Sequence, residues 1–174
     1  LFFIFNISDI LEESSLNRFK NDALHLRDGI DNDLRAMYSD LETWSQIGSL
    51  RSSLEMQYGW EEVGLMLKKL TTLKDGYLGS FLINKDGVCM SGTSSKFEQT
   101  NISTQEWFKI AQTKKYYITN VFNYKELSAI TGKDKNYCMI FIKKIELADG
   151  SLLGYLLNII DWSLIQNRLD LLQS

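Results

Sequence analysis

Tyr77-Leu78-Gly79-Ser80-Phe81-Leu82-Ile83, running straight into Asn84-Lys85-Asp86-Gly87, is the stretch that decides the fold. Seven mostly apolar residues have the length of a buried strand rather than of a helix. The Asp-Gly that follows is a hairpin signal, because a tight turn between paired strands needs positive φ, which Gly adopts freely and Asp tolerates. The run at 88–90 then reads as the returning strand. A second Asp-Gly turn, Ala148-Asp149-Gly150, joins two longer apolar runs at 137–145 and 152–160. Strands joined by hairpins pair antiparallel, so the sheet is antiparallel.

Between the hairpins the texture alternates. Residues 91–100 form a polar loop. Ser103, with Glu106 three residues later, has the spacing of a capping box and predicts a helix carrying Trp107, Phe108, Ile110 and Ala111. Residues 116–122 read as a further strand, and Thr131-Gly132-Lys133-Asp134 as a turn. From Asp161 onward Leu164, Ile165, Leu169 and Leu172 give a closing helix, with Asp161 suited to cap it.

Ahead of the sheet the chain is helical. Apolar residues recur at Leu16, Phe19, Ala23, Leu26, Ile30, Leu34, Met37, Leu41 and Trp44, in steps of three and four, with polar residues between. That spacing predicts a long helix starting near Ser8, with a continuous apolar seam. The seam suits either a helix lying on its own domain or a stalk that pairs with a second copy into a homodimer. Gly48-Ser49 interrupts it, and a second amphipathic helix follows over 60–73, ended by Gly76 as a C-cap. The apolar start Leu1-Phe2-Phe3-Ile4-Phe5 fits a buried first strand or the last turn of a membrane helix, since five residues cannot span a bilayer.

The fold class is therefore α+β: a long N-terminal helix and a five-stranded antiparallel sheet flanked by helices. Residues 1–76 form the helical stalk and second helix, and 77–174 the sheet with its C-terminal helix. Composition limits the function. A net charge of −3 from interspersed residues leaves no basic footprint for nucleic acid or anionic lipid. Two cysteines and one histidine leave no metal cluster to build, and Cys89 and Cys138 read as buried thiols or, in an oxidising compartment, a disulfide. His25 lies among Asn21, Asp22 and Asp28 on the first helix, as a solvated surface residue does. No Walker loop, Gly-x-Ser-x-Gly elbow, His-Glu-x-x-His or Cys-x-x-Cys occurs, so neither a cofactor nor an enzyme is indicated.

The element order resembles the Cache (PAS-like) sensor domains of bacterial chemoreceptors, sensor histidine kinases and diguanylate cyclases. Three stretches carry the resemblance: Phe81-Leu82-Ile83-Asn84-Lys85-Asp86-Gly87; Ile102-Ser103-Thr104-Gln105-Glu106-Trp107-Phe108; and Thr131-Gly132 with Ile145 through Asp149-Gly150 to Gly154 and Asp161. It covers about residues 77–165. It implies an extracytoplasmic, membrane-tethered input domain whose small-molecule ligand is an amine, an amino acid or a short carboxylate.

Amino-acid-binding members carry Arg-x-Trp-aromatic, then Tyr-x-Asp, then a closing Asp. Here Gln105 stands at the Arg position, Trp107 and Phe108 keep the aromatic pair, Tyr124 and Glu126 match Tyr-x-Asp with Glu for Asp, and Asp161 matches the last acid. An Arg there would clamp a carboxylate, so its loss points toward an amine or a neutral polar ligand. Each residue also has a plainer reading: Trp107 as core, Tyr124 and Glu126 as an exposed loop, Asp161 as a helix cap. The rival functions are a cytoplasmic PAS-type interaction module without small ligand, and a small hydrolase using Glu126 and Asp161.

Overall fold

The computed structural model describes residues 2–170, with side chains from residue 17 onward. The chain divides into two compact units, Leu1–Ala36 with Ile165–Ser174, and Met37–Leu164. Helix α1 spans Phe2–Ser45, so Ser8 lies inside the helix instead of capping it, and residues 2–5 are helix, not strand. Within the first unit Arg168 on α6 (Ser163–Asp170) pairs with Asp33 at 2.8 Å. Among the described residues no helix is long and apolar enough to cross a membrane.

In the second unit α1 contributes its last turns, where Met37, Leu41 and Trp44 are buried at helical spacing. The break falls at Gln46-Ile47. Gly48 and Ser49 then open a helix, α2 (Gly48–Met56), that periodicity did not reveal. Helix α3 (Trp60–Thr72) lies where it was expected, but Leu73 is its C-cap; Gly76, at φ +84°, serves the turn into the first strand.

The sheet comprises β1 (Tyr77–Asn84), β2 (Cys89–Gly92), β3 (Tyr116–Ile118), β4 (Phe122–Asn123), β5 (Tyr137–Glu146) and β6 (Leu152–Asp161). All pairings are antiparallel, in the order β2-β1-β6-β5-β3, with β4 also on β5. Both hairpins form where the Asp-Gly pairs stand, Gly87 and Gly150 taking φ of +84° and +85°. The single strand expected at 116–122 is two short ones. Between them Thr119 stays tied to Ile140 by its amide and by its hydroxyl, which accepts from the Ile140 amide.

Alternation sorts the strands' side chains onto two faces. Leu82, Phe141, Leu156 and Ile160 are buried on one, the side on which α2 and α3 lie against the sheet. Ser80 and Asn158 interrupt that face as a buried cross-strand pair, the Ser80 hydroxyl donating to Asn158 Oδ1 at 2.7 Å. The other face carries Phe81, Ile83, Cys89, Cys138, Ile140, Ile142, Tyr155, Leu157 and Ile159. It is covered by α4 (Glu106–Gln112), the 3-10 turns Ser95–Phe97 and Lys125–Leu127, and the short helix α5 (Ser128–Thr131). Cys89 and Cys138 are free buried thiols. They stand on β2 and β5, three strand spacings or about 14 Å apart, well beyond disulfide reach.

Candidate functional site

The covered face gathers the sequence-predicted aromatic residues. Trp107 and Phe108 sit in the first turn of α4 and are both buried. Ser103 does not cap this helix: Gln105 is the N-cap, its side chain making no cap bond, the Ser103 amide binds Asn101 Oδ1, and Glu106 pairs with Lys109. No capping box forms.

Tyr124 is buried at 2% exposure, against the exposed-loop reading. A turn network holds it there. Its amide binds the Asn136 carbonyl, the Asn136 amide binds Asn123 Oδ1, and the Thr131 hydroxyl binds Asn136 Oδ1. The Tyr124 ring then meets Trp107 edge-on at 6.0 Å, Phe122 at 5.5 Å and Phe97 at 6.2 Å. Phe97 and Phe122 were not singled out from sequence as site residues. A trace of Phe97 was present, as the single large apolar residue in the polar loop.

The polar residues lie around these rings. Gln105 Nε2 donates to Glu126 Oε1 at 3.0 Å, tying the start of α4 to the Lys125–Leu127 turn, with Glu126 exposed. Asp161, at the end of β6, faces Cys138 across the β5–β6 ladder. Its Oδ1 accepts the Ser163 amide at 2.9 Å, an Asx contact to the first residue of α6 from one position ahead of the N-cap site, which Trp162 occupies.

Two buried polar atoms in this cluster have no hydrogen-bond partner: Trp107 Nε1 and the Tyr124 hydroxyl. A buried unsatisfied group costs about 1–3 kcal/mol, so two on adjoining rings are unusual for a mere core. Burial first, and then Glu126, hold the Tyr124 hydroxyl far above its ordinary range; it stays a donor. Burial likewise pushes both thiols up to about 12, aided at Cys138 by Asp161 and at Cys89 by Glu98. They are protonated, inert walls at neutral pH. A hydrolase would need Glu126 and Asp161 together in a water-excluding pocket, and the exposure of Glu126 does not provide one.

Two surface clefts lie elsewhere. One of about 430 Å³ is lined by Leu54, Glu55, Asn84 and Leu152 among others, and one of about 420 Å³ by Ser49, Ser53, Tyr58 and Glu62 among others. Neither contains a predicted site residue or a buried unsatisfied atom, so size alone does not make them better candidates.

No family model and no curated protein matches the sequence. Solved structures do match the fold. The ligand-binding domain of the Campylobacter jejuni chemoreceptor Tlp3, in complex with 4-methylisoleucine, superposes at a TM-score of 0.67 and 18% identity, over 90% of this chain and 62% of that one. The sensor domain of the V. cholerae histidine kinase DctB superposes at 0.73 and 13% identity, over 90% of this chain and 59% of that one.

This chain has the fold of those sensor domains. A further match is a Vibrio parahaemolyticus domain described as of the sensory box/GGDEF family, at a TM-score of 0.63 and 15% identity, over 82% of this chain and 61% of that one. The chain spans about three-fifths of the length of each of these structures.

Proposed function

We propose that this chain is the extracytoplasmic ligand-sensing input domain of a membrane-tethered signalling receptor, and not a catalyst. One observation carries the reading: Trp107 Nε1 and the Tyr124 hydroxyl, buried and unpartnered on two rings in edge-on contact, are donors that a bound ligand would satisfy. The ligand is a small polar molecule of the amine, amino acid or short carboxylate class, as the amino-acid ligand of the Tlp3 domain suggests by analogy. Trp107, Phe108 and Tyr124 line the site, with Gln105, Glu126 and Asp161 at its polar edge. Signalling follows if the ligand binds one arrangement of the receptor better than another.

A thermal-shift panel of amines, amino acids, short carboxylates and purines tests this. A ligand at about a hundred times its dissociation constant adds about 2.7 kcal/mol, which for a domain of this size raises Tm by about 5–10 °C. Tyr124→Phe is expected to fold as well as the natural chain, since it deletes an unpaired hydroxyl, and to lose most of the shift. A panel with no shift, repeated by calorimetry, would remove the sensing reading.

Pairing of two copies through α1 belongs to the same proposal. Phe19 is 60% exposed on the helix, while Ala23, Leu26 and Ile30 on the same seam are partly covered. Leu26→Asp is expected to weaken self-association at least tenfold, about 1.4 kcal/mol, in sedimentation across a concentration series. A natural chain that stays monomeric near millimolar concentration removes pairing through α1 in the isolated domain.

A further inference from the structure

The two outer edges of the sheet differ. Beyond β2 the edge is sealed by the chain's own loop: the Cys89 amide donates to the Thr100 carbonyl, the Gln99 amide donates to the Cys89 carbonyl, and Val88 bridges to Asn101. At the other end of the strand order stands β3, and among the described residues no strand pairs with its outer side. The Lys144 amide donates to the Lys115 carbonyl and the Thr119 amide to the Ile140 carbonyl. Alternate residues of an antiparallel ladder turn their backbone groups to the same neighbour. Tyr117 therefore faces β5 with Lys115 and Thr119, while the N–H and C=O of Tyr116 and Ile118 point outward.

An open edge of this kind is a template for a further strand. Its charges select which strand. From Trp107 to Lys125 the sequence holds four lysines and no acid, in a chain whose net charge is −3. Lys109 is paired with Glu106. Lys114 and Lys115 stand exposed just ahead of β3, and Lys144 lies opposite Lys115 on β5. None of these three forms an ion pair among the described residues. Lys115 acts on Glu42 electrostatically, but that acid is already paired with Lys143. Lys114 Nζ lies 5.3 Å from the centre of the Tyr117 ring, which keeps its charge beside the strand. Tyr116, 47% exposed, adds aromatic surface at the same edge.

A second copy is a poor occupant. Pairing β3 with itself about Tyr117 would set Lys114 and Lys115 against Asn120 and Thr119, with no acid to meet them. Lysine beside an open edge discourages such self-pairing. The same charge favours a strand that brings carboxylates.

We propose that β3 is a docking edge for an extended acidic segment of a partner protein, which adds to the sheet through the backbone of Tyr116 and Ile118 and is held by Lys114, Lys115 and Lys144. Strand addition draws its affinity from main-chain hydrogen bonds and its selectivity from the flanking side chains. The edge uses none of the Trp107–Tyr124 contacts, so the proposal stands or falls apart from the sensing reading.

Fluorescence anisotropy tests it with a labelled, acetylated and amidated Glu-Val-Glu-Val-Glu peptide, beside its Lys-Val-Lys-Val-Lys analogue. The outward groups of only two residues make the bonds, so a Kd just below about 1 mM is expected for the acidic peptide. The lysine analogue is expected to bind at least about tenfold more weakly, and added salt to weaken the acidic peptide several-fold. An acidic peptide with every inner amide methylated keeps its charge but loses its donors, and should also lose at least about tenfold. Ile118→Pro removes one outward N–H at an edge position where proline is tolerated. It should keep native circular dichroism and lose the peptide. Lys114→Glu with Lys115→Glu should turn the preference toward the lysine analogue.

No binding of the acidic peptide up to 1 mM, equal binding of the lysine analogue, or full binding of the methylated peptide overturns the proposal. Should Ile118→Pro fail to fold, the methylated peptide and the charge reversal decide. Self-association of the natural chain that is abolished by the charge reversal and kept by Leu26→Asp would show that the edge takes a second copy, which also overturns it.

Discussion

Phe81→Ala is expected to destabilise the sheet-bearing unit by about 3–5 kcal/mol, the upper range for truncating a buried aromatic residue. Phe81 is fully buried at the centre of β1, its ring tilted against Phe97 at 4.6 Å. The ring occupies room that two glycines leave open. A Cβ on Gly79 would stand 2.5 Å from Phe81 Cε2, and one on Gly92 only 2.2 Å from Phe81 Cδ1 and 2.7 Å from the Ser80 carbonyl oxygen. With the ring gone, the walls on those sides are backbone held in β1 and β2, so the cavity cannot close by side-chain movement and its full cost remains. Gly92→Ala approaches the same contact from the other side and should lose about 1–3 kcal/mol through overpacking. Urea titration measures both, with an unchanged slope marking a change of stability alone. A loss below about 1 kcal/mol for Phe81→Ala would mean that neighbouring side chains refill the space.

The sheet was legible because its signals are local. The 77–83 run, the two Asp-Gly turns and the long apolar runs ending near 145 and 160 each declare themselves within about ten residues. The coverings of the sheet were less so. Helix α2 starts at a glycine and has no long stripe to reveal it, while the 3-10 turns are too short for any period to register. Asn101 has an Asx interaction of its own with the Ser103 amide, which defeated a capping box that spacing alone supported.

The exposed-loop reading of Tyr124 was the informative miss. Its burial depends on Asn123 and Asn136, thirteen residues apart, exchanging a hydrogen bond across the loop, and no local pattern reports such a closure. The family pattern did bring Gln105 and Glu126 to notice. Only the fold shows that the two bond each other, which gives the Gln at that position a partner of its own.

Glu42→Ala is expected to cost about 2–3 kcal/mol at neutral pH. Strand β5 reads as apolar, yet Lys143 within it has a side chain only 8% exposed, paired with Glu42, which retains 31%. Removing the acid strands a nearly buried ammonium. Such truncations cost roughly 3–5 kcal/mol in a full interior, and the partial exposure of Glu42 lowers that figure. Adding Lys143→Met to Glu42→Ala should recover most of the loss, because it removes the stranded charge while keeping its apolar stem.

The pH dependence has a definite sign. The hydrogen bond from Lys143 holds the Glu42 carboxyl below the ordinary carboxylate range; burial opposes this, and the Tyr38 hydroxyl, donating at 2.9 Å, adds to it. Tyr38 is itself pushed up to about 12, chiefly by that same bond, and remains a donor throughout. A carboxyl held low in the folded state contributes stability that is complete above its unfolded value, about 4.5, and is lost as pH falls through the folded one. The gap between the natural chain and Glu42→Gln, followed by thermal denaturation, should therefore stay level from pH 8 to pH 6 and narrow below about 4.5. A gap that is unchanged down to pH 3, or that widens there, would show that the ion pair is not what Glu42 contributes.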